Sequence, residues 1–379
     1  MTVIIITIFL FVLYAGLIVY YRQSWLQIPA FNTPAGGDNP GTFISVIIPA
    51  RNEENNIKAC LDSIAGQTYP AQLFEIIVVD DFSTDGTAAL VRNFSAHPVR
   101  LVSLEDILGD EKLNSYKKKA IDSAISVAKG SLVVTTDADC LVPATWLECI
   151  ATFYRKANPV FIAAPVVYYN EKNFLEIFQS LDFMTLQGIT GAAVHKKFHN
   201  MCNGANLAYE KSAFFEVGGF KGIDNIASGD DMLLMHKIFE RHPQQVLFLK
   251  SQEAIVKTRP AETLKDFFNQ RIRWASKADK YTDKKITGVL LLVYLFNAWI
   301  VFVGIISLLF PYLWLWFAGL LVCKTVVELF FLYPVAGFFK KRKLLWWFPL
   351  AQPFHILYTI IAGWLGKFGT YRWKERKVK

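Results

Sequence analysis

Cysteine is scarce and poorly placed for bonding. Cys60, Cys140, Cys149, Cys202 and Cys323 contain no close pair and no metal-ligand spacing. This argues against a disulfide framework and fits a domain facing a reducing cytosol. The chain lacks internal repeats and low-complexity tracts, which excludes solenoid and collagen-like architectures. Its apolar start lacks the basic opening, short core and small-residue cleavage site of a signal peptide, so an uncleaved anchor is expected. Basic residues crowd 117–119, 340–343 and 367–379; the first two runs carry no interleaved aromatics, and the third adjoins an apolar run. A polynucleotide partner therefore fits poorly. His195 and His199 have a helical zinc spacing, but Lys196 and Lys197 fill the gap where a zinc protease carries glutamate. A solvated helix end is the expected reading there.

What is abundant is apolar surface. Of 379 residues 53% are hydrophobic and 15% aromatic, with mean hydropathy +0.29, too apolar for an ordinary cytosolic enzyme. The formal charge of +8 is uneven, and the last two basic patches flank apolar spans, which favours anionic lipid headgroups as their partner. Residues 3–20 carry no charge and are long enough to cross a bilayer, giving an anchor over 1–22. A linker rich in Pro, Gly, Asn and Asp follows, within 23–42. Apolar residues return at Ile286. Ile286–Phe310 and Tyr312–Tyr333 can each span, and Lys324 and Glu328 lie four apart in the second, able to pair inside a helix bundle. Leu344–Leu365 is interrupted early by Pro349 and Pro353. A third full span there would push the basic tail, 367–379, outside. The positive-inside rule therefore predicts a re-entrant or interfacial segment within the membrane region 286–366.

Between the anchor and that region, 43–285 reads as α/β. Ser45–Ile48 is a buried strand ended by Pro49, residues 53–65 a helix, Glu75–Val79 a strand and 117–129 a helix. Leu132–Val134 is a strand buried on both faces. This alternation predicts a mixed, mostly parallel sheet flanked by helices. Phe174–Leu186 reads as an amphipathic helix and Leu264–Lys280 as an interfacial one.

Chemistry concentrates at strand ends. Asp137 and Asp139 follow the 132–134 strand, where open α/β sheets bind ligands. Two carboxylates one residue apart can share a hard divalent cation that grips a diphosphate, although Asp-x-Asp arises by chance about once in such a chain. Asp81 ends another strand and can accept hydrogen bonds from a base or ribose. Asp230 and Asp231 sit before a helix over Met232–Glu240, where they can cap it or take a proton. A neighbouring like charge is expected to raise the pair's apparent pKa. Arg273 can pair with phosphate oxygens and Trp274 offers a flat face.

Together, Val46-Ile47-Ile48-Pro49-Ala50-Arg51-Asn52-Glu53-Glu54, Val78 to Thr87, Thr136-Asp137-Ala138-Asp139, Gly229-Asp230-Asp231 and Gln270-Arg271-Ile272-Arg273-Trp274 resemble the family 2 glycosyltransferases. The last segment matches their Q-x-x-R-W signature, which arises by chance in about one chain in a hundred of this size. The resemblance covers 43 to about 280. It implies a GT-A nucleotide-diphospho-sugar domain, with transmembrane helices arranged as in membrane-bound members. It implies nucleotide contacts from Ala50, Asn52, Glu53, Asp81, Asp137 and Lys119; for Lys119 a solvated lysine face is the competing reading. It implies Mg²⁺ or Mn²⁺ on Asp137 and Asp139, and Asp231 as catalytic base. Diphosphate and acceptor contacts would come from Gln270, Arg273, Trp274, Asp230 and Asn206. Family members usually have Glu-Asp where this chain has Asp230-Asp231.

The expected function is inverting transfer of a hexosyl or N-acetylhexosaminyl group from a nucleotide-sugar donor, UDP-linked by preference. The acceptor is a lipid or lipid-linked molecule, at a cell (inner or plasma) membrane with the enzyme domain cytoplasmic. A processive polysaccharide synthase is the first alternative and a non-catalytic nucleotide-sugar-binding membrane protein the second.

Overall fold

The computed structural model describes residues 2–34, 41–109, 111, 113–277, 283–368, 371–373 and 376–378. Linker positions 35–40, the predicted end of the interfacial helix at 278–280 and parts of the basic tail lie outside the described residues.

The chain opens with α1 (Thr2–Gln27), which continues past the expected end of the anchor at residue 22. Its last turn is held because Trp25 is buried with Phe248 and Phe338 edge-on to it. The α/β part runs β1 (Ile44–Ala50), α2 (Ile57–Ala65), β2 (Phe74–Asp80), α3 (Thr87–Arg92), β3 (Val99–Ser103), α4 (Leu104–Leu108), α5 (Tyr116–Val127) and β4 (Leu132–Thr135). It continues with α6 (Trp146–Ala157), β5 (Phe161–Ala163), β6 (Val166–Tyr168), α7 (Phe174–His195), β7 (Leu207–Glu210), α8 (Lys211–Glu216) and α9 (Met232–Arg241). Next come β8 (Val246–Phe248), β9 (Val256–Thr258) and α10 (Leu264–Ala275). The apolar helices α11 (Lys284–Leu309), α12 (Trp314–Phe338) and α13 (Phe348–Phe368) follow, then a hairpin of β10 (Tyr371–Trp373) and β11 (Arg376–Val378).

Seven strands form one sheet in the order β3-β2-β1-β4-β7-β5-β8. Only β7 runs against its neighbours β4 and β5, so the sheet is mixed but mostly parallel, as its nearly unbroken apolar strands predict. The carboxyl ends of β1, β2 and β4 therefore share one edge. β1 runs on through Pro49 because its pairing with β4 stops at Ile47, so a missing N–H on that side breaks no ladder. The turn into β4 needs glycine: a Cβ on Gly130 would lie 2.5 Å from the Ser45 backbone nitrogen.

α7 departs from the amphipathic helix expected over 174–186. It is longer and buried on several sides, because it lies between the sheet and the apolar helices. Gly191 lets it approach Phe248 and Trp25, and Gly188 lets it approach Val335 and Phe331 of α12. The α/β part and the helical bundle consequently share one core.

Among the described residues, four segments are long and apolar enough to cross a membrane: 2–27, 284–309, 311–338 and 342–367. The pair Lys324–Glu328 forms as its spacing predicts, at 2.6 Å, and Tyr14 of α1 and Gln352 of α13 also hydrogen-bond Glu328. α13 is not broken by its prolines. Pro349 falls in the first turn, where a backbone N–H has no helical partner, and Pro353 is accommodated inside the helix. The helix lies along α10: Tyr358 packs edge-on against Phe267, and Gly366 closely approaches Ala275. α10 itself ends at Ala275 rather than Lys280, with Ser276 bonding back to the Arg273 carbonyl at 2.9 Å.

Candidate active site

The loops after β1 and β2 are stitched to each other. Asn52, at φ 52°, accepts the Thr84 N–H on its side-chain oxygen at 2.8 Å. The Glu53 and Glu54 amides donate to Thr87 Oγ1 (2.8 Å) and Asp85 Oδ2 (3.1 Å). These bonds delay α2 to Ile57, later than the helix start expected at residue 53. Arg51 donates to the carbonyls of Asp81 and Phe82, both at 2.8 Å. The result fixes Ala50, Glu53 and Asp81 on the wall of a cavity of about 920 Å³. Asn52 is a staple of the loop and is not on that wall.

Asp137 and Asp139 follow β4 on the same wall. The cation beside them comes from α5. Lys117 Nζ lies 2.7 Å from Asp137 Oδ1 and 3.2 Å from Asp230 Oδ2, joining the β4 end to the loop before α9. Burial alone would lower the Lys117 pKa, but Asp137 and Asp230 outweigh it and hold the ammonium above its ordinary range. Burial would likewise raise the Asp230 carboxyl, yet Lys117 and Lys277 hold it below the usual carboxylate range. This corrects the expected rise at Asp230: Lys117 and Lys277 outweigh its burial.

Asp231 is the N-cap of α9, accepting the Met232 N–H at 2.7 Å. Its other oxygen accepts the Gly204 N–H at 3.2 Å, and Lys277 Nζ stands 3.7 Å away. Lys118, 2% exposed, donates to the carbonyls of Ile223, Ile226 and Ser228 and so pins the loop that delivers both aspartates. Burial pushes its pKa down to about 8. Lys119 is two residues past Lys117, on another side of the helix, and does not line the cavity; its charge neighbour is Asp122.

From α10, Gln270, Arg273 and Trp274 line the cavity. Tyr168 donates to the Gln270 side chain at 3.3 Å. Arg271 is buried, 2.8 Å from Asp182, and covers the Trp274 ring at 4.2 Å. Asn206 is fully buried and off the wall. It accepts from Trp146 Nε1 at 3.0 Å and donates to the carbonyls of Pro165 and Ala254, which ties the sheet to α6 and to the segments ahead of β6 and β9. His199 differs from the solvated helix end expected: α7 stops at His195, and His199 is 1% exposed, 2.7 Å from Tyr21 of α1.

Sequence reasoning missed Lys117, Lys118 and Lys277 as site residues. The lysine run at 117–119 was visible, but choosing among three neighbours requires knowing which helix face meets the sheet edge. No comparable signal marked Lys277.

The oxygen set of Asp137 and Asp139 suits a hard divalent cation, and the Lys117 ammonium already seated on Asp137 shows that the position attracts positive charge. Among the described residues no group of three or more His, Cys, Asp or Glu could hold a metal ion, so phosphate oxygens and water would have to complete the shell.

The same cavity extends from these loops past Asp231 and Trp274 to side chains of α1, α11 and α13, among them Leu17, Leu290 and Trp364. It thus joins the polar sheet edge to the apolar bundle.

Two family profiles match the chain: Glycosyl transferase family 2 over 45–218, and Glycosyl transferase family group 2 over 132–365, more than half of the chain. The glycosyltransferase AglE of Haloferax volcanii is 30% identical over 192 residues, 50% of this chain and 59% of that protein. The poly-beta-1,6-N-acetyl-D-glucosamine synthase of Staphylococcus epidermidis is 25% identical over 246 residues, 61% of this chain and 53% of that one. The chain therefore spans little more than half the length of these curated relatives. Among solved structures, the mannosyltransferase PcManGT from Pyrobaculum calidifontis, in complex with GDP-Man and Mn²⁺, is similar with a TM-score of 0.58. That match is 20% identical and covers 94% of this chain and 97% of the other, a likeness of fold.

Proposed function

The chain belongs to the family 2 glycosyltransferases and has their GT-A fold, and on that premise we propose that it moves one sugar from a nucleoside-diphosphate donor to a lipid or lipid-linked acceptor at a membrane. The observation that carries this reading is the single cavity running from the strand-end acids to the apolar helices. A donor at the sheet edge and an acceptor rising from the bilayer would meet beside Asp231. The preferred donor is UDP-linked; because PcManGT is described with GDP-Man, a GDP-linked donor belongs in the same test.

In the proposed reaction Ala50, Glu53 and Asp81 hold the nucleoside, and Asp137 with Asp139 would hold Mg²⁺ or Mn²⁺ against the diphosphate. Such a cation, when bound, supplies Lewis-acid neutralisation of charge on the leaving group. Asp231 accepts the proton of the acceptor hydroxyl as the new bond to the anomeric carbon forms, inverting it. Arg273 stabilises the diphosphate as the old bond breaks. The Gly204 and Met232 amides orient the Asp231 carboxylate for this task. We place the α/β part on the cytoplasmic side, with α1, α11 and α12 crossing. α13, although long and apolar enough to span, would lie at the interface with α10, on which it packs.

The test uses full-length protein in nanodiscs with total lipid extract and labelled UDP-glucose, UDP-N-acetylglucosamine or GDP-mannose. One labelled sugar on lipid is expected, lost on adding chelator. A ladder of products would establish a processive synthase, and no transfer to lipid from any donor would refute the acceptor class. Asp231→Asn should still bind donor and release no product; retained turnover would remove Asp231 from the role of base.

A further inference from the structure

The positive charge nearest the Asp137–Asp139 pair is one that the chain carries itself. We propose that Lys117 is an internal counter-ion that occupies Asp137 until the donor arrives, so that the divalent cation binds with the donor diphosphate rather than ahead of it. This rests on the reading of Asp137 and Asp139 as the cation's ligands.

The geometry sets up a competition. Lys117 Nζ sits 2.7 Å from Asp137 Oδ1, on a side chain only 20% exposed, so its attraction to the carboxylate is weakly screened. A divalent cation sharing that oxygen would meet the ammonium at close range, and like charges there repel. Entry of the cation therefore requires Lys117 to leave Asp137. The side chain has somewhere to go. Asp230 already holds it at 3.2 Å, and Gly204 puts no side chain against the pair: a Cβ there would be in contact with Nζ at 3.5 Å and with Asp230 Oδ2 at 3.4 Å. A diphosphate delivered to the cavity adds anionic oxygens that can receive both the displaced ammonium and the cation. Without the diphosphate the cation must compete with Lys117 for one carboxylate; with it, the two positive charges are shared among several acceptors. Lys117 is a positioning residue in this scheme, linking the occupancy of Asp137 to that of the loop carrying Asp230 and Asp231.

The experiment measures Mn²⁺ binding to the full chain in detergent by electron paramagnetic resonance, alone and with UDP or GDP. In the unmodified protein either or both nucleotides should strengthen Mn²⁺ binding about tenfold or more, the usual range of coupling between two ligands. Lys117→Met should bind Mn²⁺ alone about tenfold more tightly than the unmodified protein, with the nucleotide enhancement reduced to about threefold or less. Lys117→Arg, which keeps the charge, should behave as the unmodified protein. Lys117→Gln serves if the methionine variant does not fold, judged by its thermal unfolding midpoint. A folded uncharged variant with unchanged Mn²⁺ affinity and unchanged enhancement overturns the counter-ion role. Asp139→Asn separates the two levels: if it loses Mn²⁺ binding, the ligand reading stands and only the Lys117 result judges the counter-ion. If Asp139→Asn binds Mn²⁺ with nucleotide as well as the unmodified protein, the ligand reading falls and the counter-ion role with it.

Discussion

Replacing Lys118 by methionine isolates what the buried lysine does for the loop ahead of α9. Its ammonium donates to three carbonyls, those of Ile223, Ile226 and Ser228. Methionine keeps the apolar stem and removes all three bonds. Hydrogen bonds from a charged group contribute about 1.5–3 kcal/mol each, but the three do not add in full. The residues at 223 and 226 are half-buried, so water can replace the lysine there, whereas Ser228 is buried. Removing an ammonium that is itself desolvated offsets part of the loss. A net cost of about 2 kcal/mol follows, close to one fully lost charged bond. If that energy is what keeps Asp230 and Asp231 in place, kcat should fall about thirtyfold, since each 1.36 kcal/mol is tenfold in rate. Donor affinity, set by the β1 and β2 loops, should change less than about twofold, and Lys118→Arg should recover part of the rate. Nucleoside-diphosphate release under saturating donor and acceptor gives kcat, and calorimetry gives donor affinity. A folded Lys118→Met enzyme with kcat within about twofold of normal would show that the loop does not depend on this lysine.

Gly130→Ala should lower the thermal unfolding midpoint, because its Cβ would press on backbone atoms of Phe43 and Ser45 that cannot rotate away; overpacking of this kind costs about 1–3 kcal/mol, and an unchanged midpoint would mean that the β4 entry has slack. Asp230 is held below its unfolded-state pKa, so the stability it contributes is present above about pH 4 and is lost as pH falls through its folded value. Unfolding midpoints should accordingly show an acid decline below about pH 4 that is smaller in Asp230→Asn. Lys324→Met leaves Glu328 buried without its cation and should cost about 3–5 kcal/mol, while the double variant Lys324→Met/Glu328→Gln should recover much of it. Equal losses in single and double variants, read as folded yield in detergent, would show that the pair itself is not the issue.

The sheet was legible because its central strands are buried on both faces. Runs such as Val46–Ile48 and Leu132–Val134 have no other economical reading in an alternating chain, and β1, β2 and β4 formed where their apolar residues predicted. Antiparallel β7 gave no such signal: Leu207–Glu210 is four residues long and owes its direction to a pairing partner rather than to its composition. α7 was misjudged for a related reason. A helix reads as amphipathic when one face meets water, but α7 meets the sheet on one side and α1 and α12 on another, and the second contact exists only once distant segments assemble.

The acids at strand ends were legible for a topological reason, since parallel strands put their carboxyl ends on one edge. Asp81, just after β2, and Asp137, from the turn after β4, therefore had to come near each other once the order β2-β1-β4 was set. Helical residues carry no such constraint. Lys117, Lys118 and Lys119 are consecutive and chemically identical, yet successive positions on a helix turn by about a hundred degrees. One turns to the acids, the next into a cage of carbonyls, and the third to Asp122. On α10 the same rotation separates two arginines of the cavity wall by burial: Arg271 is buried on Asp182, while Arg273, two positions on, is half-buried. Which basic side chain reaches the strand-end acids in this fold is thus fixed by helix phase relative to the sheet edge. That phase is set by packing against neighbours such as Phe267 and Tyr358, and not by the charge pattern itself.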